Sequence, residues 1–238
     1  MIKTITTTLM MLLVWVSVAL SNDIYIEQVG DSLDLDITQD GQNNQVGDST
    51  TDMTLNGDSM TFAITQTGNN NTIDAIIKGT SYTGTWSFTG NSNTVDLLCS
   101  SASTGNCDTV TLNITTTGDS NTFDFDIGQS TDASSSTVSF TITGDNNVIA
   151  STIDGQSAAV TVTIDNSSSL ATTSANSDEG VAVTLDVDGN GDVNGHTITI
   201  DVTGGGGTID VTQSGVYDNK VDLDITGDSF DIDITQRD

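Results

Sequence analysis

Between short breaks rich in glycine and asparagine, apolar and polar residues alternate with period two along much of the chain. Leu33-Asp34-Leu35-Asp36-Ile37, Phe123-Asp124-Phe125-Asp126-Ile127, Val221-Asp222-Leu223-Asp224-Ile225 and Phe230-Asp231-Ile232-Asp233-Ile234 keep it without exception. Successive side chains of a strand point to opposite faces, so each segment predicts a half-buried strand with one apolar face and one acidic or threonine-rich face. Thr, Ile and Val suit such a pleated surface, and the chain has no proline to interrupt a ladder of hydrogen bonds.

The breaks repeat as regularly as the strands. Gly30-Asp31-Ser32-Leu33, Gly57-Asp58-Ser59-Met60 and Gly227-Asp228-Ser229-Phe230 each lead through alternating residues to an Ile-Thr-Gln ending at Gln39, Gln66 and Gln236. A second element places Asn three residues after a glycine and a hydrophobe five after it: Gly41/Asn44/Val46, Gly68/Asn71/Ile73, Gly90/Asn93/Val95, Gly118/Asn121/Phe123 and Gly144/Asn147/Ile149. Glycine adopts positive φ without strain, and Asp, Asn and Ser bond to nearby main chain, so both elements read as turns. Glycines 30 and 41, 57 and 68, and 204 and 215 are 11 apart, whereas 68 and 90 are 22 apart, which makes eleven residues half a coil. The predicted fold is all-β, a β-solenoid of strand-turn-strand coils of about 22 residues stacked about 4.8 Å apart; a β-sandwich is the alternative.

Interruptions of the spacing mark insertions. Gly90 to Gly118 is 28 residues and holds Cys99 and Cys107; Gly118 to Gly144 is 26 and holds Ser134 to Ser136. The tract 166–180 reads as a longer polar loop, and residues 150–195 follow the repeat least. At the start, Lys3, the apolar run from Leu9 to Leu20 and the small-x-small triplet Ala19-Leu20-Ser21 predict a cleaved export signal over residues 1–21. The repeat domain would then occupy residues 22–238. The apolar run is shorter than the ~20 residues of a spanning helix, so no membrane association is expected after cleavage.

Charge narrows the partners. The formal net charge is −29, and beyond Lys3 the basic residues are Lys78, Lys220 and Arg237. Nucleic acid is excluded as a partner, because binding it requires Lys and Arg to neutralise phosphates. All acids but Glu27 and Glu179 are aspartate, a residue of turns and wet strand faces. Ile, Leu, Val and Phe still make up about a quarter of the chain, above the level of disordered sequences. In an exported chain, Cys99 and Cys107 read as a local disulfide closing a polar loop.

The segments Gln39-x-Gly41-x-x-Asn44-x-Val46 and Gln66-x-Gly68-x-x-Asn71-x-Ile73 resemble the curlin repeat, Gln-x-Gly-x-x-Asn-x-Ala, and Gln28-Val29-Gly30 and Gln213-Ser214-Gly215 with Asn219 are looser copies. The resemblance covers most of residues 24–149 and 196–236. It implies two-stranded coils whose inward Gln and Asn side chains bond in ladders, and subunits that add end to end into extracellular amyloid fibres of surface adhesion or biofilm matrix. Gln39, Gln66, Asn44, Asn71, Asn93, Asn121 and Asn147 would be the ladder residues. Phe88, Thr116 and Ile142 stand where further Gln is expected, which breaks the Gln ladder in mid-chain. Ile, Val and Phe replace the family's small Ala and imply a thicker apolar core. The family's segment between signal and first repeat has no counterpart before Ile24, which separates this chain from the family's dedicated secretion route.

Other chemistry is sparse. Asp186, Asp188, Asn190 and Asp192 follow the alternating oxygens of an EF-hand calcium loop, with Thr197 at the position of the bidentate glutamate and strands, not helices, on both flanks. A solenoid turn is the competing reading. No cofactor is expected, although calcium or another cation would screen stacked aspartates. His196 is the sole histidine and has no nucleophile paired with it in sequence, so the expectation is a structural protein and not an enzyme. The expected partner is a second copy of the chain, through terminal coils near Ile24 and Ile234, with cell or abiotic surfaces beyond it. A monomeric solenoid adhesin or virion surface protein using its loops is a second class. An ice-binding solenoid is a third, motivated by Thr109/Thr111, Thr161/Thr163 and Thr197/Thr199, although outward aspartates are as frequent and the threonine ranks read as incomplete.

Overall fold

The computed structural model describes residues 22–90, 92–99, 107–118, 120–128, 135–144, 146–154, 157–165, 181–188, 196–204, 206–215, 219–227 and 230–237. The alternating segments are strands. In chain order they are β1 (Asn22–Ile24), β2 (Glu27–Val29), β3 (Asp34–Asp40), β4 (Asn43–Val46), β5 (Met53–Asn56) and β6 (Met60–Thr67). Then come β7 (Asn70–Thr89), β8 (Ser92–Cys99), β9 (Cys107–Thr117), β10 (Thr122–Ile127), β11 (Ser136–Thr143) and β12 (Asn147–Asp154). The series closes with β13 (Ala158–Asp165), β14 (Val181–Asp188), β15 (Thr197–Gly204), β16 (Gly207–Ser214), β17 (Lys220–Gly227) and β18 (Phe230–Arg237).

Every pairing between these strands is parallel, and each strand pairs with the one that follows a full coil later. The result is a β-solenoid with two walls. One wall, sheet A, holds β1, β2, β4, β5, β8, β10, β12, β14, β16 and β18; the other, sheet B, holds β3, β6, β9, β11, β13, β15 and β17. The long β7 serves both, its first half beside β8 and its second half beside β9, and it turns the corner at Gly79 (φ 126°) and Ser81 (φ 60°). Because the strands climb one axis, the sandwich alternative is set aside.

The 22-residue coil exists between Asn71 and Asn93, but most coils carry an addition. Asn44 to Asn71 is 27 residues, Asn93 to Asn121 is 28, Asn121 to Asn147 is 26 and Ala158 to His196 is 38. The first of these additions is absent from the sequence reading. It lies between β4 and β5, where Asp48 accepts bonds from the main-chain N–H of Thr50 (2.7 Å) and Thr51 (2.8 Å) and from the Tyr25 hydroxyl (2.7 Å). Gly47 permits it, since a Cβ there would come within 2.1 Å of the Asp74 carbonyl oxygen.

The apolar faces of both walls meet along the axis. Ile64, Trp86, Ile114, Phe140 and Val162 stack in one wall, and Ile73, Val95, Phe123 and Ile149 in the other, all buried. Phe140 closes the space between them, with ring centroids 5.7 Å from Phe123 and 5.2 Å from Phe125. A single coil cannot support itself. Each buried side chain contributes about 1.5–3 kcal/mol, whereas ordering each residue of backbone costs about 1–2 kcal/mol. Burial on the second side and hydrogen bonds to neighbouring coils supply the remainder, which is why the repeat is stable only in a stack.

Candidate functional site

The feature that recurs from coil to coil is the corner where sheet B passes into sheet A. Asn44, Asn71, Asn93, Asn121 and Asn147 stand there in a buried column. Each Nδ2 donates to the Oδ1 of the next asparagine, at 3.1, 2.7, 2.6 and 2.6 Å. Asn22 extends the column downward by donating to Asn44 at 3.2 Å. The amides also cap the turn: Asn93, Asn121 and Asn147 donate to the carbonyls of Gly90, Gly118 and Gly144, three residues earlier, at 3.2, 2.5 and 2.5 Å. In these three turns that bond fits the Gly-x-x-Asn spacing, whereas Asn44 and Asn71 donate to the carbonyls of Thr67 and Thr89 at the same corner. Glycine is required because the turns stack main chain on main chain; a Cβ on Gly90 would lie 2.0 Å from the Gly68 carbonyl oxygen.

One strand-end earlier, Gln39 and Gln66 are buried side by side, and Gln66 Nε2 donates to Gln39 Oε1 at 2.7 Å. The pair stops there. Phe88 pairs with Gln66 in the next rung, followed by Thr116 and Ile142. These seven side chains are therefore brought together in two adjoining columns. The asparagine column in turn ends at Asn147, above which sheet A places Val181.

In the last coils the polar corner changes sides, to the turn where sheet A passes into sheet B. Gln236 Nε2 donates to Gln213 Oε1 at 2.9 Å, and Gln213 Nε2 donates to the His196 carbonyl at 2.8 Å. The buried His196 accepts from the Ala158 N–H through Nδ1 at 3.0 Å, and its own N–H donates to Asn219 Oδ1 at 3.1 Å. His196 thus occupies a corner position of the stack, a role that the sequence reading did not assign to it. The register shows why: Lys220 pairs with Thr197, so Asn219 falls beside His196.

Corner chemistry, glycine spacing and parallel stacking agree with the comparison of sequences: residues 30–76 match the family model of the curlin associated repeat. That segment carries curlin repeats. The match takes in both full copies, Gln39 to Val46 and Gln66 to Ile73. Among curated proteins and among solved structures, no match to the chain was found. The interior of the stack is filled with Phe, Trp, Ile and Val.

The remaining candidate sites are distributed as follows. Cys99 and Cys107 form a disulfide, with Cα atoms 5.6 Å apart, at a sheet A to sheet B corner. Asp186 and Asp188 lie at the end of β14, and Asn190 and Asp192 lie outside the described residues, as do the export signal over 1–21 and the loop 166–180. Among the described residues, no three His, Cys, Asp or Glu converge as metal ligands. No helix among them is long and apolar enough to cross a membrane.

The outer face of sheet A is electrostatically loaded. Asp74, Asp96 and Asp124 stand in register in successive rungs. Partial burial, the charges of Asp52 and Asp96 and a hydrogen bond with Asp52 push Asp74 up to about 6. Burial first and neighbouring aspartates second also raise Asp96 and Asp124. Asp48 moves the other way, held low by its bonds from Thr50, Tyr25 and Thr51. A shallow groove of about 380 Å³ along the Gly68-Gly90-Gly118 corner is lined by threonine, glycine and Asn69, with no titratable side chain.

Proposed function

We propose that this curlin-repeat chain is an extracellular structural subunit that adds end to end into fibres. The observation that carries this reading is the state of the two terminal coils. At one end, Ile232 and Ile234 of β18 are 40% and 44% exposed although their counterparts Ile209 and Val211 one rung below are buried. At the other, Ile24, Ile26, Leu33 and Leu35 are only partly covered. Among the described residues, β18 pairs only with β16, and β1 only with β4. Among the described residues, these two coils therefore present the unpaired main-chain groups and wet apolar row that an incoming coil would satisfy.

Each terminal coil also carries a polar group at one of its corners. Gln236 stands at the sheet A to sheet B corner of one end and Asn22 at the sheet B to sheet A corner of the other, so each can hydrogen-bond to main-chain or side-chain groups of an incoming coil but the two do not face each other. Negative-stain microscopy of the purified chain tests the proposal, with Ile234→Lys as the comparison. The wild type is expected to form unbranched filaments, and the variant, which places a charge in the joining face, to stay monomeric. Filaments of equal number and length from the variant would remove the terminal coil from the mechanism.

A further inference from the structure

Aspartate and threonine alternate with apolar residues in similar fashion along the sequence, but the fold gathers four middle rungs of sheet B whose outward positions hold no aspartate. In sheet B, the rungs Thr61–Thr67, Thr83–Thr89, Thr111–Thr117 and Thr137–Thr143 lie in register. Their outward positions are threonine except at Ala63, Ser87, Asn113 and Ser139, and not one is charged. In a chain of net charge −29, this is a continuous neutral face. Charged rungs flank it: Asp34, Asp36 and Asp40 on β3 at one end, and at the other Asp165 on β13, followed by Asp201 on β15 and Asp222 and Asp224 on β17.

We infer that this face adsorbs to ice. Its hydroxyl and methyl groups repeat at about 4.8 Å up the stack and about 6.6–6.8 Å along each strand, two residues apart. Both repeats lie near oxygen repeats of the ice lattice, so a sheet of ordered water can meet many side chains at once. β-Branched side chains keep few rotamers, which holds the array in place before contact. The absence of carboxylates matters as much, because a charge orders its own hydration shell against the lattice. The insertions leave the rungs intact: the Asp48–Thr51 turn departs from sheet A, and the disulfide stands at a corner.

A second copy of the chain is the rival occupant. Packing two such faces together would take a dense field of hydroxyls out of water, and each one left without a partner carries a desolvation cost. Lattice water satisfies the same hydroxyls as donors and acceptors. The chemistry therefore favours ordered water over a dry contact between sheets.

The test is ice affinity of the purified full chain: thermal hysteresis, shaping of a single ice crystal and partition into growing ice. The wild type is expected to show all three. Thr115→Lys and Thr141→Lys, on adjacent rungs at the centre of the face, are expected to abolish them, while Thr94→Lys on the outer face of sheet A leaves them unchanged. Circular dichroism and melting temperature, measured on each variant, distinguish loss of the face from loss of the fold, and Thr115→Val serves as a milder second variant if a lysine variant unfolds. Wild-type protein excluded from ice overturns the proposal, and so does full activity in both lysine variants. A wild-type dimer that Thr115→Lys converts to monomer would assign the face to a second copy and overturn it equally.

Discussion

Phe88 lies directly over Gln66 in the stack, and the Gln66 carboxamide oxygen, buried beneath it, has no hydrogen-bond partner. The glutamine column ends at an aromatic ring. An unsatisfied buried acceptor costs about 1–3 kcal/mol, and here that cost accompanies a gain: Phe88 is fully buried and continues the apolar core.

This relationship gives a first prediction. Phe88→Ala opens a cavity and should destabilise the fold by about 3–5 kcal/mol. Phe88→Gln should be milder by about 1–3 kcal/mol, because its Nε2 can donate to Gln66 Oε1 as Gln66 donates to Gln39. Denaturant midpoints of the two variants check the order; a glutamine variant weaker than the alanine variant would show that the column cannot be extended.

The second prediction concerns pH. Asp74 has its folded pKa raised from 3.8 to about 6, so the folded chain binds this proton more tightly than the unfolded chain does. Stability should therefore rise as pH falls from 7 towards 5, and the gain should be complete near the unfolded value. Asp48, depressed in the fold, acts in the opposite sense and loses its contribution as pH falls below 3.8. Melting temperature is expected to peak between about pH 4 and 6, with the rise from neutral pH reduced in Asp74→Asn. A steady decline from pH 7 downward would contradict the assignment.

Salt supplies the third. Asp201 and Asp224, and Asp210 and Asp233, pair across neighbouring rungs near one end, while Asp23, Glu27 and Asp34 crowd the other. Joining two ends brings these carboxylates within the ~10 Å over which 0.1 M salt screens charge. Filament growth is expected to accelerate with sodium chloride or calcium and to slow in dilute buffer with a chelator. Equal rates in the two media would remove this repulsion from the account.

Much of the fold is legible in the residues themselves. Strict alternation gives the strands, and Gly-x-x-Asn gives the corner, because the Asn amide can reach the carbonyl three residues back only if the chain turns there. The break in the glutamine column is equally visible at Phe88. What the sequence conceals is set by register. His196 has no repeat signature, and becomes a corner residue only once Lys220 is paired with Thr197. The turn at Asp48 interrupts what reads as a continuous half-coil, since Gly47 and Asp48 resemble every other turn in composition. The sorting of threonine from aspartate is hidden most completely. The outer threonines of the four middle sheet B rungs and the aspartates of the other rungs alternate with hydrophobes in the same way, and only the register brings those four rungs together.

Fibre diffraction from aligned filaments of the purified chain reaches the central claim most directly. If coils stack along the fibre and subunits join through their terminal coils, the ~4.8 Å rung spacing appears on the meridian, parallel to the filament axis. The same spacing found on the equator, or a chain that stays monomeric at high concentration in high salt, would contradict the account.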